Sequence, residues 1–293
     1  MRREANRQTA CIRGIGRINA DEQKAHPIVG LNTALTEEGF VLHVPKGETL
    51  AAPLHVRFEW SAEAGDRHVR LADEASLTHV RIDRLGASGR LSAVTLGEVG
   101  AAAQYKAFNL SEGDHFCRNE ALFALIGEGA NVEIDGAFPV TRDNHCDNTA
   151  VIIHAVPNTT SRQAFRGVLS GRSKSAYQGC VKVAEDAQKT DAYQMSRALL
   201  LSREARIATK PELEIYADDV KCSHGATAGE MDGDALFFLR SRGIREEEAR
   251  AMLVEVFLQE AVETIERDDL AAMAAAAIRD GLSVHQSEVS HAG

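Results

Sequence analysis

Residues 71–77, LADEASL, have two close counterparts further along the chain, IGEGANV at 126–132 and LSREARI at 201–207. Each reads apolar, two small or polar residues, Glu or Gly, Ala, any residue, apolar. VPKGETL at 44–50 and VAEDAQK at 183–189 match in part, and most of the intervals between windows are one or two units of about 27 residues. Self-similarity of this size is what a solenoid produces. Every coil repeats one strand, tight turn, strand unit and stacks its apolar side on the next coil.

The flanking segments alternate apolar and polar residues with the period of β-structure: GFVLHVP (39–45), HVRFEW (55–60), HVRLAD (68–73), LTHVRID (77–83), NVEIDG (131–136), GCVKVA (179–184) and LEIYAD (213–218). With only six prolines and no amphipathic helix before Asp232, a βαβ alternation is disfavoured. The expected fold is mainly β, a parallel β-helix followed by a C-terminal α-helical segment. An antiparallel sandwich is the alternative that short alternating strands also satisfy. The boundaries are an N-terminal extension over 1–28, the β-helix core over 29–229 and the helical segment over 230–293.

After Gly229 the texture changes. DALFFLRSRG (234–243) has Asp at its start and Gly at its stop, and one or two helices follow with Glu246, Glu247 and Glu248 loading the first turn. Ala249, Met252, Leu253, Val256, Phe257, Val262 and Ile265 form a broad apolar stripe, which either packs on the β domain or docks a partner.

The chain carries a formal net charge of −10. From Pro211 onward there are 18 Asp and Glu against 7 Lys and Arg, so the acidity belongs to the C-terminal piece. No basic patch marks general nucleic-acid binding. Five scattered cysteines with no C-x-x-C pair give neither a disulfide framework nor a self-sufficient zinc site. The basic N-terminus lacks a signal-peptide apolar run, and no stretch of about 18 apolar residues occurs, so a cytoplasmic protein is expected, with Asn109 and Asn158 unglycosylated.

Several motifs fall short of a site. GIGRIN (14–19) lacks the third Gly of a dinucleotide loop, and in GVLSGRSKS (167–175) Gly171 and Lys174 are separated where a phosphate loop needs them adjacent. No ATP site is expected. His145 and Cys146 are neighbours, so on a strand they point to opposite faces and one metal could not easily take both. Neither G-x-S-x-G nor H-E-x-x-H occurs. Asp218 and Asp219, adjacent in the chain, are a poor pair for glycoside chemistry, which weakens a carbohydrate-active β-helix enzyme as a competing class. A self-associating structural solenoid is another.

Cys222 and His224 differ from these. Separated by two, they share a face if the strand LEIYADDVK runs on through them, and thiolate with imidazole suits zinc, iron or iron-sulfur chemistry. Two ligands cannot close a tetrahedral site. Either nothing binds and the pair is a core Cys beside a capping His, or the other ligands come from another rung or another chain. Lys221 would favour the Cys222 thiolate if it lies close.

KTDAYQMSRALLLS (189–202), TKPELEIYADDVKCSHGATAGEMDGDALFFLRSRGI (209–244), HAVPNTTSRQAFRGVLSGR (154–172) and NTALTEEGFVLHVPKG (32–47) closely resemble the SufB/SufD family, on its SufD side. Members of this family are subunits of the SufBCD iron-sulfur cluster assembly complex. The resemblance runs from about Val29 to Ile265. It departs in the short stretch ahead of the first strand, where the family carries a helical N-terminal domain, and at Ile153 and Phe165. His224-Gly225-Ala226-Thr227 stands where SufB proteins read H-E-A-T.

The resemblance implies a right-handed parallel β-helix with C-terminal helices and a non-enzymatic scaffold role. It implies a SufB paralogue paired through the β-helix and the SufC ATPase docked on the C-terminal helices, through Leu236, Phe237, Leu253, Val256 and Phe257. It also implies that His224, with Cys222 as accompanying thiol, serves a transient iron-sulfur cluster at the interface with SufB.

Overall fold

A computed structural model describes residues 11–13, 40–44, 64–84, 89–112 and 115–289. Fourteen strands and three helices are described: β1 (Cys11–Arg13), β2 (Phe40–Val44), β3 (Ala64–Leu71), β4 (Ser76–Arg84), β5 (Arg90–Val99), β6 (Gln104–Glu112), β7 (Phe116–Leu125), β8 (Asn131–Val140), β9 (His145–His154), β10 (Thr160–Leu169), β11 (Lys174–Val183), β12 (Asp191–Leu200), β13 (Arg206–Ile215), β14 (Lys221–Gly229), α1 (Gly233–Ser241), α2 (Glu246–Gln259) and α3 (Asp268–Val289). HVRFEW and most of the N-terminal extension lie outside the described residues.

The strands form a parallel β-solenoid. From β3 onward the odd strands stack in one sheet and the even strands in the other, so each coil gives one strand to each sheet. β1 and β2 continue the odd sheet at its N-terminal end, β1 antiparallel to β2. The offset between stacked residues varies, from Arg90 beneath Phe116 to Lys174 beneath Arg206, because the corners differ in length. The expected period of about 27 is the shorter end of that range.

LADEASL and IGEGANV both cross the corner from an odd to an even strand, whereas LSREARI crosses the opposite corner, between β12 and β13. The repeated pattern is thus a rule for corners rather than one mark per coil. In the first two windows its Glu-or-Gly slot falls on a left-handed residue, Glu74 at φ 63° and Gly129 at φ 74°. Ala102, Asn158 and Lys189 take that conformation at the intervening and later corners, which costs an L-residue about 1–2 kcal/mol. The corners repay it by bonding to one another: Glu74 N donates to Ala101 O at 2.7 Å, Ala102 N to Glu128 O at 2.8 Å and Asn158 N to Gln188 O at 2.9 Å.

Strand alternation sends one row of side chains into the lumen, where Tyr105, Phe123, Phe138, Ile134, Ile152 and Tyr177 are all but fully buried. The outer face of the even sheet is also apolar at Phe108, Leu110, Ala137 and Val168, and there the helices pack. Val254, Phe257, Leu258, Ala261 and Val262 from α2 and the turn after it, with Ala274, Ala277 and Ile278 from α3, complete this second core. Polar ties fix its edges: Arg162 Nη1 bonds buried Asp135 at 2.5 Å, the Thr264 hydroxyl donates to the same carboxylate, and Arg84 Nη2 donates to Ala277 O at 2.9 Å.

α1 begins on Asp232, whose side chain accepts from Asp234 N and Ala235 N. It buries no residue. No described helix is long and apolar enough to cross a membrane.

Candidate functional site

Among the described residues β14 is the last strand of the even sheet and pairs only with β12, so one of its edges is open there. β13 is likewise the end of the odd sheet. The C-terminal end of the solenoid therefore presents two unpaired strand edges, a ready template for another chain.

Cys222 lies above Ala192 and Ser161, and His224 above Gln194 and Gln163. Those lower residues are buried at 5% exposure or less, which identifies both rows as inward-facing. Cys222 and His224 thus share the lumen face of β14, as their spacing requires. They differ in shelter. His224 is exposed, while Cys222 is half-buried against Val181, Val183, Ala187, Ala192 and Ala217.

Burial, with the Asp191 carboxylate second, pushes the Cys222 thiol above its ordinary value. This corrects the expectation that Lys221 favours a thiolate. Lys221 is one residue away and so faces outward, and the groups that act on the sulfur all disfavour its charge except a backbone bond at Ala192. Of the pair, His224 is the exposed side chain and Cys222 the sheltered one.

Among the described residues no three His, Cys, Asp or Glu side chains stand together to hold a metal ion. His145 and Cys146 behave as their adjacency predicts. His145 faces outward and bonds Asp147 at 2.6 Å, whereas Cys146 points into the lumen in register with Cys117. That second thiol and burial together push the Cys146 thiol well up.

His154, in the HAVPNTTS block, is a lumen residue. Its ring bonds Thr159 at 2.7 Å and Ser161 at 2.9 Å, bracing the corner between β9 and β10. Burial lowers its pKa from 6.5 to about 4.

The sequence singled out no residue beneath His224, yet Gln163 and Gln194 lie in its row at 0% exposure. The signal was available as coil spacing: residues 163, 194 and 224 are each one coil apart.

On the helices, Phe237 is 72% and Val256 58% exposed, and Phe238 and Met252 are exposed as well. Leu236 and Leu253 are half-buried. Phe257 is turned the other way, 8% exposed with the guanidinium groups of Arg166 and Arg197 over its ring. Of the stripe read from sequence, that residue serves the chain's own packing, which removes it from the free surface.

A family model described as the SufBD core domain of SUF-system FeS cluster assembly matches residues 61–257. The chain belongs to the SufBD family. It is 34% identical over 212 residues to the iron-sulfur cluster assembly protein SufD of Escherichia coli, covering 72% of this chain and 47% of that protein. An iron-sulfur cluster assembly SufBD family protein of Synechocystis is 32% identical over 67% of this chain and 44% of its own length. The chloroplastic protein ABCI7 of Arabidopsis thaliana is 34% identical over 56% of this chain and 34% of its own. The chain thus spans about half or less of the length of these relatives. Within the family it is SufD-like, and a SufBD match over a parallel β-solenoid disfavours the carbohydrate-active reading.

Proposed function

We propose that the chain is a non-enzymatic scaffold subunit of a cytoplasmic iron-sulfur assembly complex. A SufB paralogue pairs with the open end of the solenoid, and a SufC ATPase docks on the C-terminal helices. The observation that carries this reading is the placement of His224: an exposed imidazole on the lumen face of an edge strand, beside a sheltered thiol and with too few neighbours among the described residues to close a metal site.

A neutral imidazole is a good ligand for iron at physiological pH. A partner strand added to β14 would bring its own side chains to the same mouth, so iron and sulfide, as cargo, would be held between chains. Cys222 is a reserve ligand that would need a cation or metal close by to lose its proton. Phe237 and Val256, with Phe238 and Met252, form the apolar surface offered to the ATPase, supported at their margin by Leu236 and Leu253 and braced from beneath by Phe257. The chain supplies no phosphate loop, so nucleotide hydrolysis belongs to the partner.

The test is His224→Ala in the reconstituted three-subunit complex. Assembly should be retained while the cluster formed, read from its visible absorption and acid-labile sulfide, falls at least tenfold. An unchanged cluster yield removes His224 as a ligand.

A further inference from the structure

Directly beneath His224 the lumen turns polar. Gln163 and Gln194 are in register on β10 and β12 and are both 0% exposed. The Tyr177 hydroxyl donates to Gln163 Oε1 at 3.2 Å, and Gln194 Nε2 donates across the lumen to the Glu212 carbonyl at 3.2 Å. A carbonyl oxygen only accepts, so that bond settles which end of the Gln194 carboxamide is nitrogen and leaves its oxygen as the spare atom. Among the described residues Gln194 Oε1 has no hydrogen-bond partner. Gly179 on β11 keeps the space open, because a Cβ there would sit 2.7 Å from Gln194 Oε1 and 2.5 Å from Tyr177 Oη.

A fully buried acceptor without a donor is costly and rare in folded proteins. The next side chain in its row toward the open end is His224. We propose that Gln194 is the positioning residue for His224: its Oε1 accepts the imidazole N–H, fixes the tautomer and leaves the other ring nitrogen facing the open end with its lone pair free. A chain covering the open end shields this bond from water. Ligating histidines are commonly oriented in this way by an acceptor on the second nitrogen. The inference rests on reading His224 as a ligand. Its rival is Gln163, whose Nε2 also lacks a partner and lies one rung behind.

The test is the imidazole 15N spectrum of the full chain, with the His224 signal assigned by its loss in His224→Asn. Wild type should show one dominant tautomer. Gln194→Leu should show both tautomers in exchange, and Gln194→Glu, which keeps an acceptor at the same reach, should restore the single form. Gln163→Leu should leave the His224 signal unchanged. Gln194→Met stands in if the leucine variant does not fold. A mixed tautomer in wild type overturns the proposal, as does one unaltered by Gln194→Leu or Gln194→Met or one altered equally by Gln163→Leu. Cluster yield in His224→Ala is a separate readout: its failure removes the ligand role, whereas failure of the tautomer test removes Gln194 alone.

Discussion

His154 shows how one lumen side chain ties stability to pH. Its folded pKa of about 4 lies below the ordinary 6.5 because burial disfavours the imidazolium, so between those values the unfolded chain binds a proton that the folded chain refuses. Stability therefore falls as pH drops from 6.5 toward 4, by up to about 3 kcal/mol for a shift of this size. Urea titrations across that window should show the fall, and a folded His154→Gln variant should lose this component of it. A variant with the same slope as wild type would mean that other groups carry the dependence. His154 was quoted in the sequence as part of a family block. Its role was not legible there, because nothing in HAVPNTTS says that the ring meets Thr159 and Ser161 inside a coil. The Cys222–His224 spacing, by contrast, was legible: alternation along a strand is a local rule, and it holds for β14. What alternation could not supply was the difference between the two, since the shelter of Cys222 comes from β11 and from the corner residues Ala187 and Ala217.

At the scale of elements, the helices divide between two tasks. The α2 side that carries Val254, Phe257 and Leu258 covers the even sheet, while Val256 on the same helix and Phe237 on α1 face outward. Phe257→Ala should destabilise the chain by about 3 kcal/mol, the usual cost of emptying a well-packed phenylalanine site. The double variant Phe237→Asp, Val256→Asp should stay within about 0.5 kcal/mol of wild type and yet lose the SufC-type partner in a pull-down. Equal destabilisation by both would mean that the outward surface belongs to the fold. The sequence showed one broad stripe and left both uses open, because periodicity gives a face without its occupant. Strands such as β5 were also hard to read. RLSAVTLGEV is apolar on its outer side too, at Val94 and Leu96, which blurs the alternation that marked LTHVRID and NVEIDG. The corner pattern was legible because left-handed corner residues recur in every described coil from β3–β4 to β11–β12. Coil length was less so, since corners such as residues 184–190 lengthen without disturbing the strands.

For the whole molecule, the decisive feature is the C-terminal end of the solenoid. Among the described residues the C-terminal end leaves the edges of β13 and β14 open, with Ile215 and Tyr216 exposed next to them, and natural sheets seldom leave such edges bare. His224, the open edges and the acidic helical segment all lie in the last third of the chain, where the sequence concentrates its negative charge. Co-expression of the chain with a SufB paralogue and a SufC ATPase, followed by affinity capture and native mass measurement, tests the central claim most directly. The expected result is a single complex containing all three chains. Recovery of this chain only as a monomer or homo-oligomer, with neither partner retained, would contradict the account.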